Sequence, residues 1–500
     1  MYKNVLEYLE ASALKFPDKT AIQDETSSMV YSELLQNAKR IGSYLRKYHS
    51  VNKPIVVSID RTLESVVMFM GVLYSGNFYV PLDMNLPDKR IETILQTLDT
   101  SIVLSVFEET EKLQSKISVQ PEVYEKMIKS EIDEEFLNDV RSAAVSTDPL
   151  YCIFTSGSTG IPKGVVNTHM GVINLAESFE KEFHFCSDDI FGNQAPFDFD
   201  VSTKDIYNTF KYGGTMQIIP KQLFSYPVKL IEFVNERKIT VAFWAVSVLC
   251  IVAAMRGMKR VQPSCIKKIL FAGEVLPIKV LNYWMDNLPD TMFVNLYGFT
   301  EMTFNCAFYK VEKRLDLTQA LPIGKAFDNM SIFLINEDDC LCKQGEKGEL
   351  CVGGASIGLG YYGNLEKTRE VFVQNPVNKM YYERIYRTGD IAYQDEEGNF
   401  IFLCRKDFQI KHMGHRIELQ EIEIAVNALE YIHFCCCLYN KTARKIVLFY
   451  SADNECNLKI MEDLESVLPK YMIPNKYEYR DRLPLNGHGK IDRKLLEQEV

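Results

Sequence analysis

The sequence predicts an α/β protein in two parts. The first is a large N-terminal domain of layered sheets and helices that carries an antiparallel β subdomain. The second is a small, mobile α+β lid domain at the C-terminus. Three observations predict this. Through residues 1–330, short apolar runs alternate with helical stretches, as parallel strands joined by crossover helices do. From about residue 322 the pattern changes to short strands separated by glycine turns, as in antiparallel sheets. After Phe402 a charged, glycine-interrupted segment leads into a stretch long enough for one small domain.

The elements follow in order. MYKNVLEYLEASALKF and ESVVMFMGVLYSG read as helices, and KPIVVSID, GNFYVPLD and TSIVLSV as buried strands. MQIIP, ITVAFW, IKKILFAG and MFVNLYG are further strands, with the helix YPVKLIEFVNERK among them. SIFLINEDD, GELCVGG and RIYRTGDIAYQDEEGNFIFL form the antiparallel part. ELQEIEIAVNALE is a helix, followed by the strands HFCCCLYN and KIVLFYSA. The large domain therefore spans 1–404, a hinge 405–407 and the lid 408–500, the short linker being suited to a pivot.

Five hundred residues, 47% apolar and 25% charged, exclude wholesale disorder. A net charge of −11 argues against holding a nucleic acid by bulk charge, but not against a local nucleotide site. No run of eighteen apolar residues appears and the N-terminus is amphipathic and acidic, so neither membrane insertion nor a signal peptide is expected. Thirteen scattered cysteines, with Cys435, Cys436 and Cys437 adjacent, read as reduced small hydrophobes of a cytoplasmic protein. Seven histidines without a C-x-x-C pair leave no zinc framework; Cys340 and Cys342 come nearest.

The sharpest local feature is TSGSTGIPKG, Thr155 to Gly164, entered directly from the strand PLYCIF. Glycines permit close backbone approach to a ligand, and consecutive N–H groups with hydroxyls form a nest for an anion. Lys163 adds a mobile charge. The loop is not a Walker A loop: Pro162 precedes the lysine, Gly164 follows it, and no Ser or Thr is placed for magnesium.

YCIFTSGSTGIPKGV resembles the phosphate loop of the adenylate-forming superfamily, which includes peptide-synthetase adenylation domains, acyl-CoA synthetases and luciferases. Asn295-Leu296-Tyr297-Gly298-Phe299-Thr300-Glu301, Gly348-Glu349-Leu350 with Gly358 to Gly363, and Tyr386-Arg387-Thr388-Gly389-Asp390 resemble later motifs of that superfamily. So do Arg405 to Lys411 with Gly414 to Glu418, and Asn486 to Arg493. They stand in family order across essentially the whole chain. Phe299 occupies a usual proline position, Cys404 a usual glycine position, and His488 is an insertion. None removes a reacting group, so altered rates rather than lost chemistry are expected.

The resemblance implies a carboxylate attacking the α-phosphate of ATP, with Mg²⁺, to give an acyl-adenylate and pyrophosphate. Thr155, Ser156, Gly157, Ser158, Thr159, Gly160 and Lys163 would hold phosphates, and Lys490 would bridge the carboxylate and the α-phosphate. Tyr297 would stack on adenine, Thr300 and Glu301 would serve phosphate and metal, Asp390 the ribose, and Arg405 the ribose or phosphate. Gly273, Glu274, Asn295 and Gly298 complete the implied nucleotide site. Asp407 would be the pivot.

Asp200 selects among acids. Amino-acid-activating relatives carry an aspartate there, after an aromatic residue (Phe199 here), to pair with the substrate ammonium. A fatty-acid site should not bury an unpaired carboxylate. Its alternative role is a helix N-cap. The implied side-chain pocket comprises Asp200, Val201, Lys204, Phe243, Leu270, Ala272, Leu296, Phe304 and Asn305, which favours a small neutral side chain. Lys204 either pairs with Asp200 or Asp205, snorkels its head outward while its stem packs, or meets an acidic substrate. The closest family resemblance is to stand-alone D-alanine–carrier protein ligases. It implies a monomer that loads the phosphopantetheine thiol of a small acidic carrier protein, with Gly414 lining the thiol's path. Other peptide-synthetase adenylation domains, acyl- or aryl-CoA synthetases, a luciferase-like oxygenase and a noncatalytic nucleotide-binding regulator are the alternatives.

Overall fold

The computed structural model describes residues 2–106, 121–157, 160–317, 319–406, 409–484 and 491–500. Ser158, Thr159, Asp407 and Lys490 lie outside the described residues. Two large sheets dominate. The first runs Lys325–Ala326, Ala307–Val311, Met292–Tyr297, Lys268–Ala272, Val241–Ala245, Ile190–Asn193, Thr215–Ile218, Thr20–Gln23, Ser28–Val30. The second runs Gly360–Tyr361, Lys163–Thr168, Pro149–Thr155, Phe78–Asp83, Pro54–Ile59, Val103–Ser105, Glu122–Val123.

The helix Leu63–Tyr74 shows why the sheets are layered. Its residues are buried on every side, so it has no solvent face and must lie inside the protein. One apolar core joins Val66, Phe69 and Leu73 of that helix to Phe191, Val241 and Leu296 of the first sheet and to Val57, Tyr79 and Ile153 of the second. The other face of the first sheet packs a separate core, including Trp244 and Trp284, against the helices Pro227–Glu236, Val246–Ala254 and Ile278–Asn287.

The glycine-punctuated stretch forms a five-stranded antiparallel sheet, in which Gly348–Gly354 pairs with Met330–Ile335 and Arg384–Gln394. Beyond it come a hairpin, Gln409–His412 with His415–Glu418, the helix Leu419–Asn427 and a three-stranded sheet. The three adjacent cysteines sit on the strand Ile432–Asn440, where alternation sends Cys435 and Cys437 into one core and Cys436 into another. Among the described residues no helix is long and apolar enough to cross a membrane.

Candidate active site

Parallel strands end together, and their carboxyl ends in the two sheets converge on one cavity. Val241–Ala245, Lys268–Ala272 and Met292–Tyr297 run parallel in register, so the residues just past them share an edge. Ala272, Gly273, Gly298, Thr300, Phe304 and Asn305 form that wall; Thr155 and Ser156 come from the second sheet. Phe199, Asp200 and Val201 approach from the turn before the helix Ser202–Tyr212, and Lys411, Gly414, Arg416 and Tyr471 close the cavity from the C-terminal segment.

The glycine-rich loop joins two antiparallel strands, with Thr155 paired to Lys163, and not a strand to a helix. A Cβ on Gly157 would collide with the Ile161 carbonyl, so only glycine permits this turn. The Thr155 hydroxyl is buried and has no hydrogen-bond partner among the described residues. Such a group is costly unless a ligand completes it. The Ser156 hydroxyl donates to the Arg416 carbonyl at 2.7 Å, and Lys163 lies 3.5 Å from Glu418.

Glu301 lies in the short helical turn Thr300–Met302 and has no solvent exposure. Its carboxylate accepts from the Tyr361 hydroxyl at 2.8 Å and pairs with Arg416 at 2.6 Å. Burial opposes its ionisation, but Arg416, Lys163 and Tyr361 outweigh that and hold the carboxyl down at about 2. The downstream residues Thr303 and Phe304 both have positive φ, 49° and 63°. The Thr303 hydroxyl donates to the Ser356 carbonyl at 2.8 Å, one of the contacts that hold this strained turn against the cavity.

Asp200 is buried on the cavity wall. Its carboxylate does not cap the following helix, whose N-cap is Val201 without a side-chain bond. Burial raises its pKa, while the Thr300 hydroxyl and the Lys204 charge oppose that. Asp198, the other aspartate of FDFD, also borders the cavity; burial pushes it up to about 6. Phe199 meets the His415 ring edge-on at 4.6 Å.

Other residues of the expected site stand around the cavity in contact with one another. Lys204 stands behind the cavity wall: its ammonium donates to Asn305 Oδ1 at 3.1 Å, near the rings of Phe243 and Phe304, and among the described residues it makes no direct ion pair with an aspartate. Phe243, Leu270 and Leu296 belong to the buried core, with Leu270 and Leu296 two residues before the cavity-lining Ala272 and Gly298. Asn295 also stands back, its amide donating to the Pro322 carbonyl at 2.7 Å. Glu274 faces the C-terminal hairpin instead of the cavity, accepting from the Gly414 N–H at 3.0 Å. Tyr297, Asp390 and Arg405 form one buried unit: Asp390 takes the tyrosine hydroxyl on one oxygen and Arg405, at 2.6 Å, on the other.

The sequence pattern did not single out Tyr361, Lys411, Arg416 or Tyr471. The first three lie inside the family motifs, where the pattern marks the segment but not the side chain that reaches Glu301, as Tyr361 does, or the cavity, as Lys411 and Arg416 do. Burial lowers the pKa of Lys411, which the charges of Asp390 and Asp200 partly restore. No sequence pattern pointed to Tyr471, which stacks on His415 at 3.7 Å. Met413 and Gly414, with φ of 52° and 85°, form the tight two-residue turn that delivers this hairpin into the cavity mouth.

A family model described as AMP-binding enzyme matches residues 9–362. The chain belongs to this family. Among its relatives, a D-alanine–D-alanyl carrier protein ligase of Bacillus anthracis is 30% identical, over 99% of each chain. Tyrocidine synthase 1 of Brevibacillus parabrevis is 30% identical over 99% of this chain, which spans 45% of that protein's length. The fold is that of solved adenylation domains. AlmE of Vibrio cholerae, solved with glycyl-adenosine-5'-phosphate, gives a TM-score of 0.85 at 20% identity, covering 100% of this chain and 98% of its own. The artificially fused adenylation–PCP di-domain NpsA-ThdA of Klebsiella oxytoca gives 0.83 at 19% identity, covering 95% and 93%. The family places an adenylate-forming ligase on this scaffold.

The Glu301–Arg416 pair yields a direct test. Arg416→Met strands a buried carboxylate and should cost about 3–5 kcal/mol in urea unfolding at pH 7. Because folding holds Glu301 below its ordinary 4.5, the pair stabilises above pH 4.5 and is lost as pH falls toward 2. The gap between variant and wild type should therefore shrink on acidification below pH 4.5. A gap independent of pH would show that Arg416 acts by packing alone.

Proposed function

We propose that this protein activates a small neutral amino acid as its aminoacyl-adenylate and then loads it onto the phosphopantetheine thiol of a small acidic carrier protein. The observation that carries this reading is Asp200: a buried carboxylate on a cavity wall, suited to a substrate ammonium. It fits an amino acid and disfavours a fatty or aromatic acid.

In the first half-reaction a substrate carboxylate oxygen attacks the α-phosphorus of ATP, and the bond to the β-phosphate breaks to release pyrophosphate. Both reactants are anions, so the protein's work is positioning and neutralisation. The loop 155–164 takes the β- and γ-phosphates, with the Thr155 hydroxyl, unpartnered among the described residues, as one of its donors. Glu301 is suited to Mg²⁺, which prefers carboxylate and phosphate oxygens and would supply neutralising charge. Lys490 would reach the α-phosphate, the lid turning about Asp407. Tyr297 and Asp390 would serve the adenosine, which requires Asp390 to exchange part of its present bonding for the ribose.

In the second half-reaction the carrier thiolate attacks the acyl carbon and AMP leaves. The hairpin position supports this step, with Gly414 at the cavity mouth and only the Ala245 methyl near its missing side chain, at 3.6 Å. One site first excludes water from an acyl phosphate and then admits a thiol. The protein acts as a monomer in this scheme.

Lys490→Ala should nearly abolish amino-acid-dependent ATP–pyrophosphate exchange yet leave carrier loading from supplied aminoacyl-adenylate largely intact. Equal loss of both would remove Lys490 from the first step. Asp200→Ala should cost roughly 2–4 kcal/mol in kcat/KM for the amino acid and less for its des-amino analogue. Equal losses would withdraw Asp200 from ammonium recognition.

Side-chain choice rests on Lys204. Its ammonium is turned to Asn305, so alanine, serine, glycine or cysteine should outperform aspartate and glutamate in exchange, both enantiomers being assayed. Lys204→Met should keep that order. Acidic substrates that lead in wild type and fail in the variant would reverse the assignment. Burial brings Lys204 down to about 8, so the native state sheds this proton before the unfolded chain does. Wild type should therefore gain stability on Lys204→Met between pH 8 and 10.5.

A further inference from the structure

The two half-reactions make no use of Glu421 or Arg90. Glu421 lies in the helix Leu419–Asn427, Arg90 in the helix Asp88–Leu98, and their side chains are only 1% and 6% exposed. One Glu421 oxygen meets Arg90 Nη1 at 2.5 Å, and the other accepts from the Gly157 N–H at 3.0 Å. A guanidinium and a loop amide closing on one small anion is the donor set that also holds a phosphate. The neighbouring Glu418 stands 3.5 Å from Lys163. Two carboxylates of the C-terminal segment thus rest on the cation and amide of the glycine-rich loop.

A buried arginine needs an anion, whichever part of the molecule provides it. When the C-terminal segment withdraws, Arg90 stays on its helix beside Gly157 without Glu421. We propose that Glu421 is an internal stand-in for a phosphate, and that Arg90 with the Gly157 N–H belongs to the subsite for the terminal phosphates of ATP or pyrophosphate. This rests on the reading of residues 155–164 as a phosphate loop. Its consequence is mutual exclusion: the hairpin and helix seat against the loop only after pyrophosphate has left, and a bound polyphosphate keeps them away. Product release and admission of the thiol are thereby ordered by competition for one anion site.

The test is calorimetric titration of the full chain with magnesium pyrophosphate, comparing wild type, Glu421→Gln and the double variant Glu421→Gln/Arg90→Gln. Removing the internal competitor should tighten pyrophosphate binding about threefold or more. The double variant loses both buried charges together, so it leaves neither partner stranded and should fold. It should bind about tenfold more weakly than Glu421→Gln, the loss expected for a charged hydrogen bond. Equal affinity in these two variants would overturn the role of Arg90. Equal affinity in wild type and Glu421→Gln would overturn the competition. Wild type that binds no pyrophosphate would overturn the loop reading itself, and this inference with it.

Discussion

A fully buried carboxylate cannot remain charged alone, and Glu301 is the group around which this cavity is organised. Its charge is balanced by Arg416, a residue 115 positions later in the chain, and by Tyr361, 60 positions later. The bond to Arg416 ties the C-terminal segment to the wall of the first large sheet. The bond to Tyr361 ties in the edge strand Gly360–Tyr361 of the second. Three parts of the fold are held in register by the need to neutralise one side chain, and what neutralises it decides which arrangement is stable.

The same logic runs through the contacts nearby. Lys163 faces Glu418, and Gly414 meets Glu274 through its backbone N–H. These are the loop and strand-end positions that the proposed chemistry gives to nucleotide phosphates and a divalent cation. In the present arrangement, C-terminal charges and amides take those places. A cavity built from strand ends of two rigid sheets supplies fixed walls, while its fourth side comes from a hairpin that contacts those walls mainly through charge and hydrogen bonding. Such contacts exchange readily for a charged ligand, whereas the apolar core behind Phe243 and Leu296 does not.

Much of this was legible in the sequence. The alternation of apolar runs marked the parallel strands, because a strand covered on both faces is mostly apolar, as the fully buried Pro54–Ile59 is in all but Ser58. The glycine-rich loop declared itself by composition. Motif order placed Asp200, Thr155 and Glu301 near one another, and the structure brings all three to one cavity region. What stayed hidden was side-chain direction. Lys204 lies four residues after Asp200, and its long stem carries the ammonium to the back of the wall, at Asn305. Leu270 and Leu296 stand two residues before the cavity-lining Ala272 and Gly298, a spacing that keeps the face but changes the depth. The pairing of Arg416 with Glu301 depends on how the C-terminal segment seats, which no local pattern encodes.

The proposed role of Glu301, in which a magnesium-bound nucleotide would take the place of Arg416, is best tested by amide hydrogen exchange in the hairpin Gln409–Glu418, with and without magnesium ATP and in the absence of amino acid. Release of the hairpin should speed exchange there, including at the Gly414 amide now bonded to Glu274, while the strands Lys268–Ala272 and Met292–Tyr297 stay protected. Unchanged protection of the hairpin at saturating magnesium ATP would show that nucleotide and Arg416 occupy the site together, and would contradict the exchange of one for the other.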